Sequence, residues 1–211
     1  ITTPRSNTQA PDKQWITVDT NPDSPFLGRI YAMWNIYIFN PGYMYVSIAD
    51  ANPDGTHSDW SKPVKLPTID GKPWDGYMQP QVTPDGTVWT ATTNNPPVQG
   101  YIRAAVYLVW SEDGGETWQG PLPVKSRFQA PHYQNTTFRE GITVTFAAGL
   151  VKVGQNYPLY VAYEEGGSGL SRVFLTASYD RGHSWTDPIL VNDNQGPTEA
   201  MQPQIDGAEN G

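Results

Sequence analysis

The chain has 211 residues, with 13 basic and 21 acidic side chains, 20 glycines, 20 prolines and no cysteine. The formal net charge of −8 argues against a nucleic-acid partner, because binding to phosphates requires a basic surface. Without cysteine there is neither a disulfide framework nor thiol chemistry, and no apolar run is long enough to span a membrane as a helix.

Short strands bounded by turn residues dominate the sequence. Clear examples are rich in β-branched and aromatic residues: Trp15–Val18, Arg29–Trp34, Thr87–Ala91 and Leu159–Tyr163. No segment combines sustained helical periodicity with helix caps. The glycine, proline and aromatic content indicates many turns around a core of large flat side chains. We therefore predict an all-β chain.

The first repeat unit follows an N-terminal extension at residues 1–11 and covers about residues 12–66. We expect an inner segment, two central strands and a closing strand, in the order Asp12–Val18, Ile30–Trp34, Tyr43–Ile48 and Pro63–Leu66. A degenerate turn motif, residues 54–60, ends at Trp60.

The second unit covers about residues 67–126. Its inner segment is Met78–Val82, and Thr83-Pro84-Asp85-Gly86 then forms a turn. The eight-residue motif Ser111–Trp118 follows further on, and Pro121–Val124 is the closing strand.

The third unit covers about residues 127–193, with an inner segment at Phe138–Ile142 and a closing strand at Pro188–Val191. Its motif Ser178–Trp185 nearly copies Ser111–Trp118, because both read S-x-D-x-G-x-[T/S]-W. Four shared positions in eight residues, each followed by proline and a short apolar strand, indicate internal repetition. We name these two motifs the box turns.

The residue types in the box turns predict a stapled hairpin. An aspartate followed by glycine accepts hydrogen bonds from backbone amides ahead of it, while the glycine adopts a positive φ. Threonine or serine adds a second local bond, and the tryptophan turns back to bury its ring in the sheet. The alternative is that the aspartates are catalytic carboxylates or that the tryptophan rings stack on sugars. This alternative fits less well, because the motifs lie at hairpin tips. We assign a structural role to Ser111, Asp113, Gly115, Thr117, Trp118, Ser178, Asp180, Gly182, Ser184 and Trp185.

The box turns, with Asp12–Asp19 and Gly28–Tyr31, resemble the Asp-box or BNR-repeat proteins, secreted bacterial β-propellers described as exo-α-sialidase-like. The resemblance runs from Asp12 to Gln204. It implies an all-β propeller of four-stranded antiparallel blades. It also implies a sialidase-like glycoside hydrolase, or part of one, that acts outside the cell on terminal sugars of glycans. Asp-boxes also occur in lectin-like and receptor propellers, so the alternative is a non-catalytic propeller in glycan or protein binding or a cell-surface assembly.

A sialidase resemblance further implies three arginines that grip a carboxylate, a Tyr–Glu nucleophile pair and an aspartate acid/base. The bidentate guanidinium group explains the choice of arginine. The Phe-Arg-Ile-Pro motif that normally supplies the first arginine is absent, and the nearest string is Phe138-Arg139-Glu140-Gly141. No Tyr–Glu pair is identifiable in the sequence, so the family's catalytic set is not carried over.

A fourth inner segment, Met201–Ile205, repeats Met78–Val82 nearly letter for letter, which predicts that residues 194–211 begin a further blade. The tryptophans that end the turns are 58 and 67 residues apart, a spacing that suits four-stranded blades. Three blades and one strand cannot close a ring of about six or seven blades. We therefore expect further blades of the same chain, or a partner subunit, to complete it.

The inner segments are the best candidates for a functional site. In a propeller the innermost strands surround the axis, so polar groups from separate blades converge at one mouth of the channel. We assign candidate catalytic roles to Arg139, which would hold an anionic group, and to Glu140 and Asp12, which would act as acid or base. Candidate substrate-binding residues are Lys13, Gln79, Gln81, Gln202 and Gln204. The alternative is that these side chains only solvate a wet channel.

The remaining polar residues indicate neither a metal nor a cofactor. His57, His132 and His183 are scattered without metal-ligand spacing. Asp50, Asp54 and Asp59 form a loose acidic cluster that a degenerate turn motif explains more simply than a calcium site.

Overall fold

In the computed structural model the described residues are 9–38, 42–68, 78–94, 103–129, 133, 144–166 and 169–208. Within these ranges the chain forms twelve β-strands and no helix. The strands are β1 Gln9–Val18, β2 Arg29–Ile38, β3 Gly42–Asp50, β4 Val64–Lys65, β5 Gln81–Val82, β6 Val88–Asn94, β7 Arg103–Ser111, β8 Gln119–Gln129, β9 Val144–Ala148, β10 Leu159–Glu165, β11 Arg172–Ser178 and β12 Ile189–Leu190.

Three four-stranded sheets contain these strands. The first sheet has the order β1-β2-β3-β4, the second β5-β6-β7-β8 and the third β12-β11-β10-β9. Strands that follow one another in the chain are therefore neighbours in the sheet, and they pair antiparallel. The prediction of an all-β chain with four-stranded antiparallel sheets is confirmed.

The chain divides into two compact units, Ile1–Thr90 with Leu108–Pro121 and Ala91–Tyr107 with Leu122–Gly211. Each has its own apolar core. In the first unit the largest fully buried side chains are those of Tyr31, Met33, Met44, Leu66, Met78 and Leu108. In the second they are Phe146, Leu159, Tyr163 and Glu164. The presence of one acidic residue in the second set is unusual, because a carboxyl group is costly to bury.

The first and third sheets repeat each other in detail. In the first sheet Ser47 Oγ donates to the carbonyl oxygen of Ser61 at 2.6 Å, and Ser61 Oγ accepts from Ile48 N at 3.0 Å. In the third, Thr176 Oγ1 donates to the carbonyl oxygen of Thr186 at 2.7 Å, and Thr186 Oγ1 accepts from Ala177 N at 3.1 Å. Ser61 and Thr186 directly follow Trp60 and Trp185, so these two tryptophans end equivalent turns.

The same equivalence extends to strand register and ring packing. Val18 pairs with Ile30 in the first sheet, and Ala148 pairs with Leu159 in the third. Four residues after Ile30 and Leu159, an aromatic ring stacks on its cross-strand neighbour. The centroids are 6.2 Å apart for Trp34 and Tyr45, and 6.0 Å apart for Tyr163 and Phe174. A residue in one sheet can therefore be compared directly with its counterpart in the other.

Candidate functional site

The box turn at Ser111–Trp118 is closed by its own side chains. Asp113 Oδ1 accepts from Ser111 Oγ at 2.8 Å and from Thr117 N at 2.9 Å, while Oδ2 accepts from Thr117 Oγ1 at 2.5 Å. Ser111 Oγ also accepts from Gly115 N at 2.9 Å. Burial acts to raise the pKa of Asp113, but the bonds from Thr117 and Ser111 outweigh it and hold the pKa below its ordinary value.

The box turn at Ser178–Trp185 has the same bonds. Asp180 Oδ1 accepts from Ser178 Oγ at 2.8 Å and from Ser184 N at 2.9 Å, and Oδ2 accepts from Ser184 Oγ at 2.5 Å. Ser178 Oγ accepts from Gly182 N at 2.8 Å. The Ser184 hydroxyl and amide, with smaller help from Ser178, lower the pKa of Asp180 to about 2. The carboxylate is thus ionised at neutral pH and occupied by donors of its own turn.

Backbone conformation also repeats between the two box turns. Gly114 and Arg181 have φ values of +70° and +62°, and the next residues, Gly115 and Gly182, have +93° and +83°. In each turn the tryptophan Nε1 donates to the carbonyl oxygen of Gly115 or Gly182, at 3.1 and 3.2 Å respectively. The indole rings are half-buried, so they brace the turn more than they fill the core.

The degenerate motif in the first sheet uses a shorter version of the same bond. Asp54 Oδ1 accepts from Thr56 N at 3.0 Å and from Thr56 Oγ1 at 2.6 Å. The hydroxyl and amide of Thr56 lower the pKa of Asp54. The acidic residue here reaches two positions ahead instead of four. This bonding agrees with the interpretation of the acidic cluster as a degenerate turn.

Within the first unit, the box turn at Ser111–Trp118 rests on the first sheet. Arg29 Nη1 donates to the carbonyl oxygen of Gly114 at 3.2 Å, and Arg29 Nε donates to Asp50 Oδ1 at 3.0 Å. The Arg29 guanidinium also lies over the ring of Phe26, 5.3 Å from its centroid. The box turn therefore joins successive repeats of the chain as well as closing a hairpin.

The candidate site residues of the first inner segment form a local ion pair. Lys13 Nζ lies 3.3 Å from Asp12 Oδ2, and Lys13 N donates to Asp12 Oδ1 at 2.8 Å. The register of β1 against β2 shifts at this point, and Lys13 has a φ of +57°. A bulge with a left-handed residue re-aims the side chains within a strand, which is common next to binding sites.

The glutamines predicted to bind substrate differ in exposure. In the first unit Gln79 and Gln81 are half-buried, and Gln81 pairs with Trp89 in the second sheet. In the second unit Gln202 and Gln204 are exposed, and Gln202 has a φ of +52°. The proposed catalytic pair Arg139 and Glu140 lies outside the described residues.

A buried carboxyl group that sequence reasoning missed lies behind Gln202. Glu164, at the end of β10, is fully buried, and its Oε2 accepts from Tyr133 Oη at 2.5 Å. Its Oε1 accepts from the backbone amide of Gln202. Burial raises the pKa of Glu164, although both hydrogen bonds act to lower it. Glu164 therefore holds the fourth inner segment against the third sheet.

Glu164 occupies a position that is polar in every repeat. In the second strand of the three sheets, the first residue that pairs with the preceding strand is Ile30, Val88 and Leu159, respectively. The residue five positions later is Asn35, Thr93 and Glu164, respectively. All three side chains are completely buried. The repeated polar residue emerges only when the sheets are aligned, and the sequence alone does not single it out, because β6 also carries Thr90 and Thr92 and β10 carries Glu165.

A Glu164→Gln substitution tests whether Glu164 holds the fourth inner segment against the third sheet. We expect a loss of about 1–2 kcal/mol in the free energy of unfolding, because an amide cannot accept on both sides. The pKa of Glu164 is raised in the folded state, so its contribution is largest below 4.5 and declines as pH rises through the folded value. Urea denaturation should therefore show a larger deficit at pH 4 than at pH 7. A pH-independent deficit for Glu164→Gln would contradict this role.

The described part of the chain contains no cluster of three or more histidine, aspartate or glutamate side chains that could hold a metal ion. None of its segments is a helix long and apolar enough to cross a membrane. No protein-family model and no curated protein sequence matches this chain.

Proposed function

We propose that the three sheets are blades of an Asp-box β-propeller, and that the protein recognises terminal sugars of glycans outside the cell. The observation that carries the proposal is the repeated geometry of the box turns at Asp113 and Asp180, whose hydrogen bonds correspond atom for atom. Two identical side-chain-stapled turns in successive four-stranded sheets are what a repeat-built propeller requires.

Sugar recognition is supported by the chemistry of the inner segments. Sugar hydroxyls both donate and accept hydrogen bonds, and amide side chains do the same. Exposed Gln202 and Gln204 offer such amides in the second unit. Asp12 adds a carboxylate that is 47% exposed and oriented by Lys13 in the first unit. Each unit thus offers polar groups of the kind that suits a small polar ligand.

Hydrolysis of an acidic sugar is the more demanding form of this proposal. Arg139 would bind the carboxylate of the sugar, since a guanidinium forks around two oxygens. Glu140 would transfer a proton to the leaving oxygen. A retaining glycosidase places its two catalytic groups about 5 Å apart, and sialidases use tyrosine as one of them.

Glycan-array binding tests sugar recognition, and turnover of a fluorogenic α-sialoside tests hydrolysis. We expect the wild-type protein to bind glycans with terminal acidic sugars, and Arg139→Ala to weaken this binding at least tenfold. Lys62→Ala removes an exposed positive charge elsewhere and should leave binding unchanged. Binding without turnover would support recognition alone, whereas the absence of binding to any glycan would sink the proposal.

A further inference from the structure

The bulge in β1 brings an aromatic ring and a carboxylate to one face of the first sheet. Asp12 pairs with Asn35, and Trp15 pairs with Met33. The two β2 residues are two positions apart, so their side chains point to the same face, and the side chains paired with them do so too. Residues three positions apart in a regular strand point to opposite faces. The extra residue of the bulge therefore places Asp12 and Trp15 side by side.

Both side chains are accessible to solvent on this face. Trp15 is 43% exposed, and the side chain of Asp12 is 47% exposed. Their cross-strand partners Met33 and Asn35 are buried. The first sheet thus presents an indole ring and a carboxylate together above a closed core.

The exposure of Trp15 occurs on a face that the following repeat of the same chain contacts. This face also carries Tyr31, and a Cβ at Gly115 of the second repeat would lie 3.1 Å from Tyr31 Cε1. Asn21 Nδ2, in the loop after β1, donates to the carbonyl oxygen of Val82 at 3.0 Å, which brings the second inner segment to the same sheet. The indole of Trp15 therefore remains accessible with its neighbouring repeat in place.

The carboxylate of Asp12 is oriented by the residue that forms the bulge. Lys13 N donates to Asp12 Oδ1 at 2.8 Å, and Lys13 Nζ lies 3.3 Å from Asp12 Oδ2. The Lys13 side chain is only 16% exposed, so the carboxylate is the charge that a ligand meets. Each carboxylate oxygen accepts about two hydrogen bonds, so a half-exposed carboxylate can also accept from hydroxyl groups of a ligand.

We propose that Trp15 and Asp12 form a binding site for a neutral pyranose sugar. The apolar C–H face of the ring packs on the indole, and neighbouring hydroxyls donate to the carboxylate. An acidic sugar fits less well, because its charge has the same sign as that of Asp12. The site lies within the first unit and requires neither Arg139 nor Glu140. This inference rests on the proposed sugar recognition and adds a class of sugar to it.

NMR titration of the whole chain with methyl β-galactopyranoside, methyl β-glucopyranoside and methyl α-mannopyranoside tests the site. The indole N–H resonance of Trp15 is assigned by its loss in Trp15→Phe. We expect this resonance to shift in a saturable way with at least one of the three glycosides. The indole resonances of Trp118 and Trp185 should stay in place, because these rings brace the box turns.

Substitutions separate the two halves of the site. Trp15→Ala should weaken binding of that glycoside about tenfold, because it removes the stacking surface. Asp12→Asn should weaken binding about threefold, because a neutral amide oxygen replaces a charged acceptor. Tyr179→Ala removes a ring that is 46% exposed in the second unit and should bind like wild type. Circular dichroism checks that all three variants are folded.

The outcomes distinguish this site from sugar recognition in general. A neutral glycoside that binds without shifting the Trp15 resonance would overturn the site and leave sugar recognition intact. The same holds if no neutral glycoside binds while glycans with terminal acidic sugars bind on the array. A Trp15 shift that is as large and as tight with methyl α-sialoside would overturn the assignment to neutral sugars.

Discussion

Replacing Gly115 with alanine is expected to lower the free energy of unfolding by about 2–5 kcal/mol. A Cβ at this position would lie 2.9 Å from Ile48 Cγ2 and 3.1 Å from Tyr31 Cε1, both in the core of the first unit. Gly115 also has a φ of +93°, which an L side chain rarely adopts. Urea denaturation followed by tryptophan fluorescence would measure the loss.

Gly55→Ala is the matched control for this substitution. Gly55 has a φ of +83°, but no atom lies within 4 Å of its hypothetical Cβ. Alanine there should cost only the left-handed backbone strain, about 1 kcal/mol. Equal losses at the two sites would show that crowding against Tyr31 and Ile48 contributes nothing, contrary to the packing of this turn.

Asp180→Ala is expected to cost about 2–3 kcal/mol, because it removes three hydrogen bonds to a charged acceptor. The donors are Ser178 Oγ, Ser184 N and Ser184 Oγ. Asp187→Ala removes an exposed carboxylate just beyond the turn and should change stability by less than about 0.5 kcal/mol. Chemical denaturation at pH 7 compares the two variants.

The pH dependence of this loss follows from the sign of the pKa shift. The pKa of Asp180 falls from 3.8 to about 2 on folding, so the unfolded chain binds the proton more readily. Its stabilising contribution is complete above pH 3.8 and disappears as pH falls toward 2. The deficit of Asp180→Ala should therefore shrink over that interval. A deficit that stays constant down to pH 2 would show that the carboxylate does not act through its charge.

The box turns were predictable because the hydrogen bonds that close them lie within eight residues. Asp113 accepts from Ser111 and Thr117, and Gly115 has the positive φ that the turn requires. Local side-chain-to-backbone bonds depend little on the rest of the fold. The four-stranded sheets were predictable for a related reason, since short apolar strands between turns pair with their neighbours in the chain.

Contacts between residues that are far apart in the sequence could not be predicted from the sequence. Glu164 meets the amide of Gln202 at a separation of 38 residues and Tyr133 at 31. Nothing in the local pattern distinguishes Glu164, which is buried, from Glu165, which is half-buried. The ion pair of Asp12 with Lys13 also depends on a bulge that residue types do not specify. The expected roles of Arg139 and Glu140 remain predictions.

One position of the box turns holds glycine in one copy and arginine in the other. The positive φ values of Gly114 and Arg181 are nearly equal, so the backbone itself tolerates a side chain there. At Gly114 a Cβ would come within 2.6 Å of Arg29 Nη1 and 2.7 Å of Phe26 Cδ1. Glycine at position 114 therefore leaves room for the neighbour that abuts the tip of the turn. In a longer array of such turns, glycine at this position would mark each crowded junction.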